Sequence, residues 1–381
     1  MLKNKIYNYI TWELFKYFIL VLFSLSLIAW TVRAVNFLDL IVDSGYSTST
    51  YFLYSLLNLT NIITKFIPLS FLLALLFTII KLERQNEFIV LWTSGIAKLK
   101  IANLFLRNSL VVLLVYITFS TLITPTSLNI SRNLIKDSGI DTISSFLKPN
   151  IFADTFKGLT FYIDSKSDNR IQNIFIKDDG NNLNNLLPEK SESRDQTIIA
   201  ESGFIQDNKI ILEKGLVQSY DQNNTIRIVQ FNRTLLNFNN FDNRVIKDIK
   251  IQETPTKQII ACLKKYYSGE LTDKVYVKNC PKNNIAVIIE TFSRRLGMPF
   301  YIPVVSLLIS FLLIYKKNEK IKLFNRYLFF GFSFFLLVIS DLLVRYSGFS
   351  NIHFATYLII PFFLIPILYV TLHNELKREL K

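Results

Sequence analysis

The chain has 381 residues, half of them hydrophobic and only 19% charged, with Phe at 33 copies. Charge is scarcer than the roughly 25% of soluble domains, and the apolar residues come in blocks, which excludes one ordinary soluble core. The net charge of +14 does not point to nucleic acid, because the basic residues cluster between and beside apolar blocks and form no single basic stripe.

Residues 14–38, 52–80, 101–123, 298–315, 327–344 and 354–372 are mostly apolar, whereas 125–285 is polar and rich in Asn, Asp and Lys. A helix needs about 20 apolar residues to cross a hydrocarbon layer of roughly 30 Å, and each block reaches or approaches that length. The expected fold class is a membrane α-helical protein of six transmembrane helices, three before and three after an inserted all-β domain. Residues 1–124 would hold the first three helices, 125–285 the β-rich domain with a connecting helix, and 286–381 the last three.

Lys3, Lys5 and Lys16 stand at the start of the first block, and Lys81, Arg84, Lys98 and Lys100 between the second and third. Lys316, Lys317, Lys320, Lys322 and Arg326 separate the fourth and fifth, and Lys377, Arg378 and Lys381 follow the sixth. The loop after the first block carries Asp39 and Asp43 and no Lys or Arg. Basic residues gather in cytoplasmic loops, so both termini are expected in the cytoplasm and the large polar segment outside. The first block is long and no small-residue cleavage site follows it before Arg33, so it reads as a span and not as a cleavable signal peptide.

The second block is interrupted by Lys65 and Pro68, and proline kinks a helix. The expectation is a kinked or surface segment over 51–64 and a deep part over 66–81. Residues 83–97, ERQNEFIVLWTSGIA, read as a short cytoplasmic helix. Glu83, Arg84, Asn86 and Glu87 make a polar start, Phe88, Leu91 and Trp92 share a face, and Gly95 supplies a stop. The third span is expected over 101–123, with Pro125 marking its exit.

The outer segment changes period. LTFYIDSKSDNRIQNIFIKDDG alternates as two strands around a polar turn, and 197–238 continues as three or four more. One face is apolar: Leu159, Phe161 and Ile163; Ile174 and Ile176; Ile210 and Leu212; Ile226, Ile228 and Phe231. That pattern suits an antiparallel sandwich or half-open roll. The Asn-rich 181–196 stretch reads as a solvated loop. A helical pattern returns after Pro255, and Glu290 leads through Arg294 and Arg295 into the fourth span.

Enzymatic chemistry finds little support. No G-x-x-x-x-G-K-[ST] stretch cradles phosphates. The only histidines, His353 and His373, lie outside the polar segment, which removes Ser-His and Cys-His nucleophiles and ordinary zinc ligation there. No catalytic residue, metal or cofactor is expected. Cys262 and Cys280 both fall on the outer side, where they either pair or remain separate thiols.

Charges inside the apolar blocks are the better candidates, because ionisable groups in a membrane are costly and mark functional surfaces. Arg33 sits near the outer end of the first span, Lys65 near that of the second, and Asp341 and Arg345 lie i,i+4 at that of the fifth. Together with Arg132, the cations Arg33, Lys65 and Arg345 are candidate head-group contacts for an anionic amphiphile, with Asp341 as a gate. The alternative is that they snorkel to the outer head groups. The 83–97 helix either lies on the membrane surface or inserts into a groove on a cytoplasmic partner.

In order along the chain, LDLIVDSGYS, KFIPLSFLLALL, NEFIVLWTSGIAKLKI, GLTFYI, NIFIKD and ETFSRRLGMPFY resemble segments of the LptF/LptG permease family. These are the membrane subunits of the ABC transporter that extracts lipopolysaccharide from the inner membrane. The resemblance covers essentially the whole chain, and LDLIVDSGYS and GLTFYI favour the LptF-like paralogue. It implies that Glu87 and Gly95 belong to a coupling helix, with Glu83, Arg84, Phe88, Leu91 and Trp92, docking on a separate cytoplasmic ABC ATPase dimer. It also implies an LptG-like sister permease, with spans one and five lining lateral openings and Arg33 at the position of a lipid-phosphate contact. The outer domain would be a periplasmic β-jellyroll that passes lipopolysaccharide to a jellyroll bridge protein beside an LptC-like membrane-anchored subunit. The implied location is the bacterial inner membrane. The 181–196 loop and the Cys262/Cys280 pair depart from the pattern. The rival is an FtsX- or MacB-like mechanotransmitting protein, but those carry the outer domain after the first of four spans.

Overall fold

The computed structural model describes residues 2–42, 46–140, 147, 149–156, 158–167, 169–179, 196–206, 209–220, 226–237, 250–268, 285–314 and 319–378. Six helices are long and apolar enough to cross a membrane: Lys5–Ile41, Thr48–Arg84, Lys98–Ile135, Ile285–Leu313, Phe324–Tyr346 and Asn351–Arg378, called the first to sixth spans. In chain order three of them precede the strands and three follow. The fold divides into two compact units, one of residues 1–32, 57–129 and 250–381, the other of 33–56 and 130–249.

In the first unit the fourth span is the central post, with 78% of its apolar window buried against 17% for the first and sixth and 22% for the fifth. Fully buried Phe71, Leu72, Leu75, Ile79, Ile101, Phe105, Ile302 and Ile309 form its core. Because lipid tails are as apolar as leucine, dispersion and interhelical hydrogen bonds hold such a bundle together. Gly297 shows how close the packing is. A Cβ there would lie 2.5 Å from the ring of Tyr357, which is itself 1% exposed. Gly297→Ala is expected to cost about 1–3 kcal/mol, read as a lower thermal midpoint of the purified chain.

Several boundaries differ from the sequence expectation. The second span is one helix of 37 residues, about 55 Å long, and runs through Pro68. Ile67, Pro68, Phe71 and Leu72 are packed on both sides of the proline, so tertiary contact holds the turn that lost one N–H. The third span likewise does not stop at Pro125 but continues through a π-helical turn, Phe119–Ile123, into Thr124–Ile140. Proline 125 has no N–H for the carbonyl of Thr121, and that carbonyl accepts the Thr256 hydroxyl at 2.7 Å instead. The fourth span begins at Ile285, so Glu290, Arg294 and Arg295 lie within it. A hydropathy reading stops at those charges, whereas the fold tolerates them because each has polar partners.

The segment expected as one helix over 83–97 is also divided. Glu83 and Arg84 close the second span, Asn86 turns the chain in a left-handed conformation (φ 56°), and only Glu87–Thr93 forms the short helix. Gly95 at φ 77° ends it, with Ile96 N–H donating to Leu91 O at 3.1 Å, a closure that needs a left-handed residue.

The second unit contains a six-stranded antiparallel sheet, β1 (Ala153–Phe156), β2 (Leu159–Ser167), β3 (Arg170–Asp178), β4 (Gln196–Gln206), β5 (Lys209–Tyr220) and β6 (Ile226–Asn237). The strands pair in sequence order, a meander. All six described strands join one sheet in sequence order, so they do not form the two-sheet sandwich that was one of the two expectations from the alternating pattern. Its core is Leu159, Phe161, Ile163, Ile171, Ile174, Ile176, Ile198, Ile210, Leu212 and Leu236, among others. Ile226 and Ile228, expected on that face, are instead exposed on β6.

The reason is a line of phase shifts across the sheet. The pairing register stays constant, but the β3–β4 ladder skips one pair, at Asn173, between Gln172↔Ser202 and Ile174↔Ala200, and the β4–β5 ladder skips one, at Lys214, between Ser202↔Glu213 and Ala200↔Gly215. At those gaps Asn173 and Lys214 are both left-handed at φ 50°. Buried residues therefore fall three apart at Ile171 and Ile174 and five apart at Leu212 and Val217, where a flat strand would keep even spacing. A Cβ on Gly215 would meet the Ile199 carbonyl at 2.4 Å and the Phe231 ring at 2.5 Å. Gly215→Ala is expected to lower stability by about 1–3 kcal/mol, measurable by hydrogen exchange in β4 and β5. The Asn-rich stretch 181–195 lies outside the described residues, and Gln196 opens β4 and is buried.

Candidate functional site

The spans run alternately, so one end of the first unit collects Tyr9, residues 81–100, Arg326 and the sixth span's Lys377; this is its basic end. At the opposite end the second to fifth spans and Gln252 surround a cavity of about 760 Å³. Its charged lining is Lys65, Glu290, Arg294, Arg295, Asp341 and Arg345, four cations against two carboxylates.

The cations differ in their bonding. Arg294 donates to Asp341 Oδ1 at 2.5 Å and to Glu290 Oε1 at 3.3 Å. Arg345 Nε stands 4.0 Å from Asp341 Oδ2, and its side chain is 67% exposed. The expected i,i+4 pair within the fifth span is thus the weaker one, and Asp341 joins the fifth span to the fourth. Low dielectric strengthens such a pair, and bidentate or double acceptance compensates for the lost hydration. The structure brings together Lys65, Asp341 and Arg345 of the residues expected from sequence, and adds Glu290, Arg294 and Arg295. Sequence reading stopped short of these three, although Glu290 and Arg294 at i,i+4 beside an unbroken apolar run were a usable signal.

Arg295 is 5% exposed and does a different job. Its Nη1 donates to Thr254 O at 2.9 Å and Thr256 Oγ1 at 2.8 Å, and its Nη2 to Gln252 O at 2.8 Å. Its own carbonyl accepts the Ser120 hydroxyl at 2.9 Å. Arg295 sits in a π-helical turn, Ser293–Gly297, and Ser120 in that of the third span. The two widened turns face each other and expose the carbonyls that Ser120 and Thr256 use, an arrangement π-turns favour at functional sites.

At the basic end, Leu91 is buried in the core, and Phe88 and Trp92 pack against it with rings stacked at 5.5 Å. The face named from sequence therefore points inward. The exposed side of the short helix carries Ile89 and Val90, 58% and 64% exposed. Glu87 accepts the Tyr9 hydroxyl at 3.0 Å, Glu83 accepts from Arg326, and Arg84 is exposed. Beside Gly95 lies a second cavity of about 510 Å³, lined by Trp92, Ile96, Leu99, Leu376, Lys98 and Lys377 among others.

Arg33 is exposed in the last turn of helix Leu2–Asn36, and Arg132 is half-buried in helix Thr124–Ile140, both in the second unit. In the loop that follows the first span, burial pushes the Tyr46 phenol up to about 12, so it stays a neutral hydroxyl. Cys262 is buried on helix Thr256–Tyr267, and Cys280 lies outside the described residues. Among the described residues no cluster of His, Cys, Asp and Glu has the form of a metal site.

Six long apolar helices, an inserted antiparallel sheet and a charged cavity among the spans define a polytopic membrane protein. The family model described as lipopolysaccharide export system permease LptF/LptG matches residues 8–374, and the chain belongs to that family. Over 170 residues it is also 29% identical to the Uncharacterized protein RP871 of Rickettsia prowazekii (strain Madrid E). That stretch is 44% of this chain and 46% of the relative, so the match spans less than half of either protein.

Proposed function

We propose that this chain is the LptF-like transport subunit of an ATP-driven lipopolysaccharide exporter in a bacterial inner membrane. The observation that carries the reading is the family match over 8–374, which reaches all six spans and takes in the whole sheet. Both termini and the basic end face the cytoplasm, as the Lys and Arg distribution favours, and the sheet lies in the periplasm. A separate ABC ATPase dimer hydrolyses ATP and docks on helix Glu87–Thr93, whose outward Ile89 and Val90 suit an apolar groove on that partner. An LptG-like sister permease completes the lipid cavity of the first unit, and Arg33 and Arg132, in the second unit, are separate head-group contacts.

The charged cavity supports a lipid-phosphate role for Arg345, whose side chain is 67% exposed and stands 4.0 Å from Asp341, and Lys65 lines the same cavity. The exposed Ile226, Ile228 and Val229 on β6 suit onward transfer of acyl chains, or strand pairing, with a periplasmic bridge protein beside an LptC-like subunit. The test is reconstitution of the chain with the ATPase and sister permease in vesicles carrying lipopolysaccharide. ATP-dependent release to a soluble acceptor supports the reading, and hydrolysis without release of any lipid refutes it. In the same vesicles Arg345→Ala is expected to lower photocrosslinking of lipid phosphate about three- to tenfold, and unchanged crosslinking would assign Arg345 to snorkelling.

A further inference from the structure

Three side-chain contacts converge at the basic end on residues 81–87, two on the last turn of the second span, through Lys81 and Glu83, and one on Glu87 at the start of helix Glu87–Thr93. Toward the first span, the Tyr9 hydroxyl donates to Glu87 Oε1 at 3.0 Å and the Lys81 ammonium to Glu13 Oε2 at 2.7 Å. Toward the fifth span, the Arg326 guanidinium donates to Glu83 Oε2. The Glu13 side chain is only 11% exposed, and those of Glu83 and Arg326 are 19% and 22% exposed. Charges so enclosed are screened far less than surface pairs, and charge-assisted hydrogen bonds hold a narrow geometry.

Of the elements tied together, the first and fifth spans are otherwise loosely packed. The first and fifth spans bury 17% and 22% of their apolar windows, against 61% for the second and 78% for the fourth. A sparsely packed helix is positioned by its few specific contacts. Only Gln85 and the left-handed Asn86 separate the second span's last turn from the short helix, which Gly95 closes onto Leu91. A displacement of that helix therefore reaches Glu83 and Glu87 without being absorbed between them.

We propose that Tyr9, Glu13 and Arg326 are positioning residues through which the 81–87 turn moves the first and fifth spans together. The inference rests on the transport reading for what drives the turn. A partner pressing on Ile89 and Val90 shifts Glu87 and Glu83, and their bonds carry the shift to one span on each side. Apolar contacts at the same places would slide at little cost, whereas these polar pairs have one good geometry each.

The experiment uses the complex of this chain with its ATPase and sister permease in lipopolysaccharide vesicles. It compares Arg326→Gln, Tyr9→Phe and the charge exchange of Glu83→Arg with Arg326→Glu. ATP turnover, lipid released per ATP, and the distance between labels placed without cysteine chemistry at positions 12 and 327 are read. Trp12 and Tyr327 are 72% and 70% exposed, so labels there disturb little. Arg326→Gln is expected to hold ATP turnover within about twofold while lipid per ATP falls about tenfold and the ATP-dependent distance change disappears. The charge exchange is expected to restore both, which a merely structural role would not predict.

Full lipid yield per ATP in Arg326→Gln overturns the proposal, as does a folded exchange variant no better than the single one. If the exchange does not fold, Tyr9→Phe, which removes one hydroxyl, is expected to lower the yield about threefold. Unchanged yield in Tyr9→Phe combined with Arg326→Gln then overturns it. Absence of lipid release from the unaltered complex refutes the transport reading instead, and the label distance still decides the contact. A broader distance distribution in Arg326→Gln supports it, and an unchanged one overturns it.

Discussion

Replacing Arg295 with Met is expected to destabilise the purified chain by on the order of 3–5 kcal/mol, the largest stability effect of any single substitution considered for this protein. The guanidinium is 5% exposed and serves Thr254 O, Gln252 O and Thr256 Oγ1 at 2.8–2.9 Å. Methionine fills much of the volume but leaves those three acceptors without their donor in a place water reaches poorly. The Thr256 hydroxyl, which also satisfies the carbonyl left open by Pro125, loses its anchor as well. Arg295→Lys keeps the charge but has no planar fork to span separate acceptors, so an intermediate loss is expected. Arg378→Ala is the control: its contact with Glu375 joins side chains 78% and 47% exposed, and such pairs contribute little. Thermal unfolding in detergent measures all three. Equal midpoints for Arg295→Met and Arg378→Ala would rule out the strut role.

Glu87→Ala is expected to have the largest functional effect, lowering lipid released per ATP about tenfold or more while hydrolysis continues. The carboxylate heads helix Glu87–Thr93 and accepts the Tyr9 hydroxyl. Removing it frees the first span from the turn and removes the charge offered to a docking partner. Glu87→Gln separates the two roles, because an amide still accepts from Tyr9 and carries no charge. A loss in Glu87→Ala with normal yield in Glu87→Gln assigns the effect to the Tyr9 bond. Equal losses assign it to the partner's cation, and normal coupling in both would remove Glu87 from the mechanism. Turnover and release in the reconstituted complex are the measurements.

Much of the architecture was legible in the sequence, and the places where reading failed share a cause. Blocks of about 20 apolar residues mark spans because the hydrocarbon layer imposes a length. All six blocks coincide with long helices. Their ends were misjudged wherever a proline or a charge interrupted the block. Pro125 was expected to end the third span, which continues through it, and Pro68 to interrupt the second block, where the helix is unbroken. Glu290, Arg294 and Arg295 were read as lying before the fourth span, and they lie inside it. Three of these interruptions, Pro125, Arg294 and Arg295, are accommodated by groups distant in sequence: Thr256 at the Thr121 carbonyl, Asp341 at Arg294, and Gln252 and Thr254 at Arg295.

The strands tell the same story with a different period. Alternation found β2, β3 and β5 and their inward residues, because the pleat repeats every two residues. It misplaced Ile226 and Ile228, which are exposed, since a row of shifts through Asn173 and Lys214 turns the pattern partway along the sheet.

What the sequence determined by itself is the number of spans, the place of the strands between them and the family, because these follow from long-range composition and from ordered local segments. What only the tertiary structure decided is which charges meet. Lys65 lies far along the chain from Asp341 and Arg345, yet all three share one cavity, in which the nearest partner of Asp341 is Arg294 and not its own helix neighbour Arg345. The face Phe88, Leu91 and Trp92 was legible as apolar, but its turning inward, leaving Ile89 and Val90 outside, was not. Helical periodicity identifies a face from local spacing, whereas the neighbour that covers it is set by packing between segments hundreds of residues apart.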